Sequence, residues 1–247
     1  PSESGGVRVA DIVFVLDVTG SMSDEIASVR TNMASFVNTL AASSIDYRIG
    51  FVRFWDTVEV MNDGNLYSNY SQIMATINSF TAGGGGDGPE NPLEAMVEAT
   101  RMNFRPGAHR VQIMLTDANA HESDWATPWT VATTIAQLQA TGSLVYPVFN
   151  TGSSAQLLQY VPIAQATNPD GDYYHIYNNF NGIITSIQES IALTYIVRYR
   201  TTNGVLDGTE RQVRVAVDVF GDLQQATGSY IPGSAPVILR TEETIAL

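Results

Sequence analysis

A short apolar run that ends in an acidic, hydroxyl-bearing loop is the strongest constraint on how this chain folds. Residues 12–16 contain no polar side chain, which is typical of a strand buried on both faces of a parallel sheet. Asp17, Thr19 and Ser21 follow at single-residue spacing, and apolar residues at helical spacing then predict a helix near residues 24–41. A loop that joins a buried strand to a helix is a typical ligand site in an open α/β sheet.

The same alternation of strand and helix continues along most of the chain. After a first strand near residues 11–17, we expect strands near residues 47–55, 111–115, 144–149 and 172–177, with an antiparallel edge at 58–61. Further helices are predicted near residues 69–80, 91–102, 129–140, 154–166 and 180–192. The sequence therefore predicts an α/β fold class, with a doubly wound, mostly parallel sheet that carries helices on both faces.

The pattern changes after residue 192. Strand-like alternation recurs over residues 195–200, 212–220 and 236–240, and Asn-Gly and Asp-Gly pairs mark turns between them. These features predict a small antiparallel β extension. The expected organisation is a lead-in over residues 1–10, the α/β domain over residues 11–192 and the β-rich extension over residues 193–247.

Composition excludes several classes of function. The net charge is −13 and all 12 basic residues are arginines, so neither nucleic acid nor an anionic membrane is an expected partner. The acidic balance instead suits cation binding or a saline medium. Because the chain has no Cys, disulfides, thiolate catalysis and zinc–thiolate sites are excluded. No run approaches the roughly 18–20 apolar residues of a membrane span, so we expect no membrane insertion of this fragment, whose termini indicate a module of a longer chain.

Acidic residues recur where the predicted strands end. Asp17, Asp56 and Asp117 each follow a strand, and Asp87 and Glu90 lie on a glycine-rich loop that enters a helix. The carboxyl ends of parallel strands meet at one rim of the sheet, where these acids would repel one another unless cations neutralised them. Carboxylate and hydroxyl oxygens suit Mg²⁺ or Ca²⁺, with Mn²⁺ as a further candidate. The glycine-rich loop lacks the Gly-Lys-Ser/Thr of a phosphate-binding loop.

A simpler interpretation exists for the first loop taken alone. Asp17 would merely end the strand, and Ser23 or Asp24 would cap the following helix through a side-chain oxygen. The set of acids at several strand ends favours the metal site over this alternative.

Four separated motifs in the same order resemble a von Willebrand factor A domain. They are Asp17-x-Thr19-x-Ser21, the strand at residues 47–51 that ends at Asp56, Asp87-x-Pro89-Glu90, and Thr116-Asp117-Ala118-x-x-His121. The resemblance covers about residues 11–192 and is greatest to the integrin β-subunit I-like domain and the hemicentin A domain. It implies a metal-ion-dependent adhesion site. The implied ligands are Asp17, Thr19, Ser21 and Glu90, with Asp117 acting directly or through a water.

The same resemblance implies up to three cations. Asp24 and Glu25 stand where the integrin-like pattern has an acidic pair for a second, adjacent site, with Glu25 replacing an Asp. Asp56, Asp87 and Glu90 stand where a third site would be. That site uses an Asn side chain in the family, and Gly85 stands there instead, which implies a weaker or incomplete third site.

The expected function is therefore non-catalytic. We expect an adhesion or ligand-binding module of an extracellular or cell-surface protein, which binds a carboxylate of a partner protein or acidic glycan through a divalent cation. His121, Trp125 and Trp129 are candidates for the rim that contacts this ligand, although simple loop packing explains the two tryptophans equally well. The alternative function is a structural or assembly module whose cations only stabilise the fold within a larger surface protein.

A metal-dependent hydrolase is the least favoured interpretation. Asp17 and Glu90 would have to serve as an acid/base pair, as in a glycosidase, but their placement beside hydroxyl ligands suits metal coordination better. No Gly-x-Ser-x-Gly motif surrounds any serine, so nucleophilic catalysis has no motif either.

Overall fold

The computed structural model describes residues 9–42, 45–86, 88–168, 170–177, 209–219 and 222–230. The strands are β1 (Val9–Asp17), β2 (Asp46–Phe54), β3 (Val58–Val60), β4 (Pro89–Glu90), β5 (His109–Leu115), β6 (Asn119–Ala120), β7 (Ser143–Phe149), β8 (Tyr174–His175), β9 (Arg211–Val219) and β10 (Asp222–Tyr230). The α-helices are α1 (Ile26–Ala41), α2 (Tyr70–Ser79), α3 (Pro92–Ala99), α4 (Val131–Thr141) and α5 (Ser154–Thr167). No helix of the described residues has the length and apolar character needed to cross a bilayer.

The main sheet has six strands in the order β3-β2-β1-β5-β7-β8. All neighbouring strands run parallel except β2 and β3, which pair antiparallel, as predicted for residues 58–61. β1 pairs with β2 on one side and with β5 on the other, so the strand order reverses between β1 and β5. The gap at the carboxyl ends of these two strands is the topological switch point of the sheet, where open α/β folds bind their ligands.

The apolar run in β1 is buried because both faces of the sheet are covered. Ile12, Phe14 and Leu16 belong to one hydrophobic cluster, which includes side chains of α1 and α2. Val13 and Val15 point to the opposite cluster, which includes side chains of α3, α4 and α5. Full burial of each such side chain is worth about 1.5–3 kcal/mol. This two-faced burial confirms the predicted doubly wound α/β fold.

Several elements differ from the sequence-based expectations. A 3-10 turn at Gly20–Ser23 precedes α1, and β8 has two residues rather than the predicted six. The parallel pair of β4 and β6 was not predicted, because two residues carry no detectable periodicity.

The C-terminal part that the structure describes is an antiparallel pair. β9 confirms the predicted strand at residues 212–220, and β10 pairs with it so that Val219 lies opposite Asp222. β10 was not predicted because its sequence is poor in β-branched and aromatic residues. The predicted helix at 180–192 and strands at 195–200 and 236–240 lie outside the described residues, so the domain boundary near 192 stays a prediction.

A buried ion cluster anchors the amino end of β1. Asp11 is fully buried and accepts hydrogen bonds from Arg48 Nη2 at 2.7 Å and from Arg105 Nε at 2.8 Å. Burial alone would raise the pKa of Asp11, but the hydrogen bonds from Arg48 and Arg105 outweigh it and hold the pKa below its ordinary value. The cluster therefore stabilises the folded state only while Asp11 is ionised.

We expect Asp11→Asn to lower the free energy of unfolding by about 3 kcal/mol at pH 7, because Arg48 and Arg105 lose the buried carboxylate that they share, and Arg105 keeps only the more exposed Asp46. The folded-state pKa of Asp11 lies below the unfolded value, so its contribution is complete above pH about 4 and is lost as pH falls through the folded-state pKa. In urea unfolding, the difference in free energy of unfolding between the wild type and the variant should become smaller from pH 7 to pH 3.

Glu98→Gln is the matched control, since it breaks a more exposed ion pair with Arg101 and should have little effect at either pH. A deficit for Asp11→Asn that is equal at both pH values would contradict the prediction.

Candidate functional site

The candidate site lies at the switch point of the sheet, where β1 and β5 end. β1 ends at Asp17, which is fully buried, and Thr116 follows β5 directly. Thr116 Oγ1 donates a hydrogen bond of 2.6 Å to Asp17 Oδ2. The carboxylate that the sequence places at the end of the first strand is therefore held between the two central strands.

A continuous row of side-chain oxygens extends from Asp17 to Asp117, on the loop that follows β5. Thr19 Oγ1 donates to Asp17 Oδ1 at 2.7 Å and lies 3.0 Å from Ser21 Oγ. Ser21 Oγ donates to Asp117 Oδ1 at 2.9 Å. Adjacent oxygen ligands of an octahedral ion with bonds of about 2.1 Å lie about 3.0 Å apart. The donor chemistry and the spacing of this row thus fit a small divalent cation.

Glu90, from the loop that precedes α3, and Thr19 both lie close to Gly85. Glu90 is buried, and a Cβ atom on Gly85 would stand 3.0 Å from Glu90 Oε1 and 3.3 Å from Thr19 Cγ2. The backbone of Gly85 has a φ of +87°, which favours glycine. The pairing of β4 with β6 fixes Glu90 opposite Ala120, on the loop that follows Asp117. The three loops therefore meet in a cradle that a side chain at position 85 would fill.

A family model of the von Willebrand factor type A domain matches residues 11–190 of this sequence. The chain belongs to this family. Such domains are generally modules for adhesion and protein interaction rather than enzymes.

One relative of this von Willebrand factor type A domain is a much longer protein. It is 28% identical over 120 residues to the alpha-protein kinase vwkA of Dictyostelium discoideum, a match that takes in 47% of this chain and 19% of that protein. The chain thus spans less than a fifth of that relative's length.

Two solved structures share the fold at a TM-score of 0.56. The conserved hypothetical protein BatB from Bacteroides thetaiotaomicron is 16% identical, with 74% of this chain and 97% of that chain covered. An aerotolerance-related membrane protein from Bacteroides fragilis is 15% identical, with 74% and 98% covered. At these identities the likeness concerns the fold alone.

Burial affects the ionisation of the central carboxylate in this domain. Burial raises the pKa of Asp17 to about 6, against the opposing effect of hydrogen bonds from Thr116 and Thr19, and the charge of Asp117 raises it further. A neighbouring cation would favour the ionised form and lower the pKa again. Within the described residues, no three Asp, Glu or His side chains form a metal site by themselves, so a cation here would need the hydroxyl oxygens as well.

The acidic pair after the first loop has one exposed and one buried member. Asp24 is exposed, whereas Glu25 is only 8% exposed and accepts a hydrogen bond from the Tyr177 hydroxyl, which raises the pKa of Tyr177. Glu25 Oε2 accepts no hydrogen bond from the described residues. The N-cap residue of α1 is Glu25, without a side-chain cap. The capping interpretation of Ser23 and Asp24 is therefore wrong, because the 3-10 turn moves the helix start to Ile26.

Only part of the predicted third acidic group is described. Asp56 follows β2, and a Cβ atom on Gly86 would stand 3.1 Å from Asp56 Oδ2. Asp56 Oδ1 is buried, accepts no hydrogen bond from the described residues and lies 3.8 Å from His121 Nε2. Asp87 lies outside the described residues. Asp56 therefore borders the glycine-rich loop close to His121.

The two tryptophans proposed for the rim differ in exposure. Trp125 is 71% exposed, and its ring meets the ring of buried His121 edge-on at 5.1 Å. His121 Nδ1 lies 2.5 Å from Asp124 Oδ2, and Asp124 Oδ1 accepts a hydrogen bond from the Ala126 amide. Trp129 is half-buried and packs against the cluster that contains α3, α4 and α5. The geometry thus favours Trp125 over Trp129 as the aromatic surface of the rim.

Two residues that hold the loops of the candidate site in place were not predicted from the sequence. Asn91 is fully buried, and its amide nitrogen donates to Asp56 O at 3.1 Å, to Glu94 Oε2 at 2.7 Å and to Ala126 O at 3.2 Å. Gln156 on α5 donates to Asp117 O at 2.6 Å. The position of Asn91 directly before a helix-starting proline was a detectable signal, whereas Gln156 contacts a residue 39 positions away and carried none.

We expect Gly85→Ala to lower the free energy of unfolding by about 1–3 kcal/mol, because its Cβ atom would crowd Glu90 and Thr19 at a strained positive φ. Gly83→Ala is the matched control, since its Cβ atom would meet nothing within 4 Å. Urea unfolding in the presence of a chelator measures both. Equal stability of the two variants would show that the cradle has more space than its geometry indicates.

Proposed function

We propose that this von Willebrand factor type A domain binds a carboxylate group of a partner through a divalent cation, without catalysis. The observation that carries the proposal is the row of oxygens from Asp17 through Thr19 and Ser21 to Asp117, with Glu90 and Thr19 both close to Gly85. The likeness to integrin β-subunit I-like and hemicentin A domains supports the same function. Mg²⁺ or Ca²⁺ is the preferred cation, with Mn²⁺ as a further candidate.

Each candidate ligand has a distinct role in this proposal. Asp17 supplies the buried charge that holds the cation, while the hydroxyls of Thr19 and Ser21 supply oxygens without further charge. Asp117 and Glu90 complete the set from the other two loops. A bound cation would attract and coordinate the carboxylate of the partner. Because the first loop contributes one charge rather than three, an added carboxylate meets less repulsion there.

Two further cations extend the proposal. Asp24 and Glu25 would hold the second, and the buried Glu25 Oε2 is an oxygen available to it. Asp56, Asp87 and Glu90 would hold the third. Gly85 supplies no side-chain ligand to this third site, and a side chain at position 85 would collide with Glu90 in this backbone. We therefore propose that the third site is the weakest of the three.

We propose an extracellular or cell-surface location for the parent protein, with a partner protein or acidic glycan as the ligand. The kinase activity named for the Dictyostelium relative is not transferred to this chain, since the match covers 19% of that protein. The assembly function, in which cations only stabilise a larger surface protein, is the second candidate. It would be favoured by a domain that cations stabilise but that binds no carboxylate ligand.

Asp17→Ala tests the cation site. For the wild type, we expect the melting temperature to rise with Mg²⁺, Ca²⁺ or Mn²⁺, by the equivalent of about 2.7 kcal/mol at 100 times the dissociation constant. Asp17→Ala should keep the fold, since a partly uncompensated buried charge is removed, but should show no cation-dependent shift. Glu98→Gln, which removes an acidic group at the far end of α3, is the control and should behave as the wild type. A cation response retained by Asp17→Ala would refute the site.

Trp125→Ala tests the ligand-binding rim. Random peptides selected on the wild-type domain in Mg²⁺, and discarded if they bind in chelator, should share an Asp or Glu that cannot be replaced by Asn or Gln. Trp125→Ala should weaken these peptides about tenfold, because it removes an exposed aromatic contact, yet leave the cation affinity unchanged. Selected peptides that lack a carboxylate would contradict the proposed function. Peptides that bind Trp125→Ala normally would exclude Trp125 from the rim.

A further inference from the structure

The glycine segment, defined here as residues 83–86, is tied to the first candidate loop by main-chain hydrogen bonds. Gly83 N donates to Val18 O at 2.9 Å, and Gly20 N donates to Gly84 O at 3.0 Å. The segment thus runs alongside the residues that flank Thr19. A Cβ atom on Gly85 would stand 3.0 Å from Glu90 Oε1 and 3.3 Å from Thr19 Cγ2, so the segment lies close to both side chains.

The indole ring of Trp55 contacts the glycine segment at Gly83 and Gly84. Its indole Nε1 donates a hydrogen bond of 2.6 Å to Gly83 O. A Cβ atom on Gly84 would stand 3.0 Å from Nε1 and 3.1 Å from Cδ1 of the same ring, and Gly84 has a φ of +86°. The indole therefore lies in direct contact with a backbone that only glycine allows so close.

Trp55 is itself fixed in place from both sides. The guanidinium group of Arg53 lies 5.2 Å from the centre of its ring and forms three hydrogen bonds with Glu59 on β3. Trp55 O accepts a hydrogen bond of 3.0 Å from Asn91 N, the residue after Glu90. Trp55 thus connects the glycine segment, the second candidate loop and the edge of the sheet.

We propose that Trp55 is a positioning residue for the cation site, which holds the glycine segment so that Thr19 and Glu90 stay at a ligand-binding separation. The proposal rests on the proposed function. Four consecutive glycines have the largest conformational freedom of any backbone, and their ordering is costly unless contacts compensate for it. The indole N–H supplies such a contact without adding a charge that would compete with a cation.

A purely structural role for Trp55 is the alternative, since its ring also packs against the cluster that contains α1 and α2. Trp55→Phe separates the two roles, because phenylalanine keeps an aromatic ring for packing but removes the N–H donor. Tyr70→Phe is the control. It removes an aromatic donor that binds Asn38 Oδ1 on a different surface.

Calorimetric titration of the chelator-treated domain with Mg²⁺ and Ca²⁺ measures the effect. We expect Trp55→Phe to bind cations about 10-fold more weakly than the wild type, which is the usual effect of removing a group that orients metal ligands. Its melting temperature in chelator should remain close to that of Tyr70→Phe. Trp55→Phe with wild-type cation affinity would overturn the proposal. A wild type that binds no cation would overturn the proposed function itself, so the two failures are distinguishable.

Fluorescence gives an independent readout. The chain has three tryptophans, so Trp125→Phe with Trp129→Phe leaves Trp55 as the single indole reporter. We expect its emission to change as Mg²⁺ or Ca²⁺ fills the site and to stay constant when Asp17→Ala is added. Cation binding seen by calorimetry without any change in Trp55 emission would count against coupling between Trp55 and the site.

Discussion

Two buried carboxylates on β1 have different neighbouring charges, and this difference determines what this domain is suited to do. Asp11 and Asp17 lie on the same strand and both are fully buried. Two arginines neutralise Asp11 and lower its pKa, whereas Asp17 receives hydrogen bonds from Thr19 and Thr116 alone among the described contacts, and its pKa rises to about 6. A buried carboxylate without a counter-charge costs stability. At the rim end of β1, Asp17 therefore lacks a counter-charge, which a bound cation would supply. At the opposite end, Asp11 already has one in its two arginines.

The topology explains why the rim end of β1 is accessible to a ligand. The strand order reverses between β1 and β5, so helices diverge above this gap, and the loops after both strands are free to meet there. Ser21 and Asp117, which are 96 residues apart, are hydrogen-bonded for this reason. Support comes from α5, where Gln156 holds the carbonyl of Asp117. The candidate ligand Asp117 thus projects from a loop whose backbone is held by α5.

The sequence predicted the parts of the site that local pattern encodes. Asp17 and Asp117 follow buried strands, and the apolar runs specify those strands, so both residues and the fold class were predictable. The place of Asn91 before a helix-starting proline was detectable, but its three side-chain hydrogen bonds were not, because their acceptors come from Asp56, Glu94 and Ala126, which only the folded chain brings together. The difference between Trp125 and Trp129 was equally hidden. Trp125 lies in a turn with Ser123 at a φ of +50° and with amide hydrogen bonds to Asp124, whereas Trp129 packs against the cluster that contains α3, α4 and α5.

The glycine segment combines two requirements that usually conflict. The close approach of its backbone to Glu90, Thr19 and the Trp55 ring excludes any side chain at Gly84 and Gly85, yet glycine is the residue least able to hold a fixed conformation. Main-chain hydrogen bonds to Val18 and Gly20 fix one edge of the segment, and the Trp55 indole fixes the other. The fixed conformation of the glycine segment therefore comes from contacts with residues outside it. The hydrogen bond from Trp55 Nε1 to Gly83 O is exposed, so a change that removes only this bond should act on the separation of Thr19 and Glu90 before it acts on the sheet.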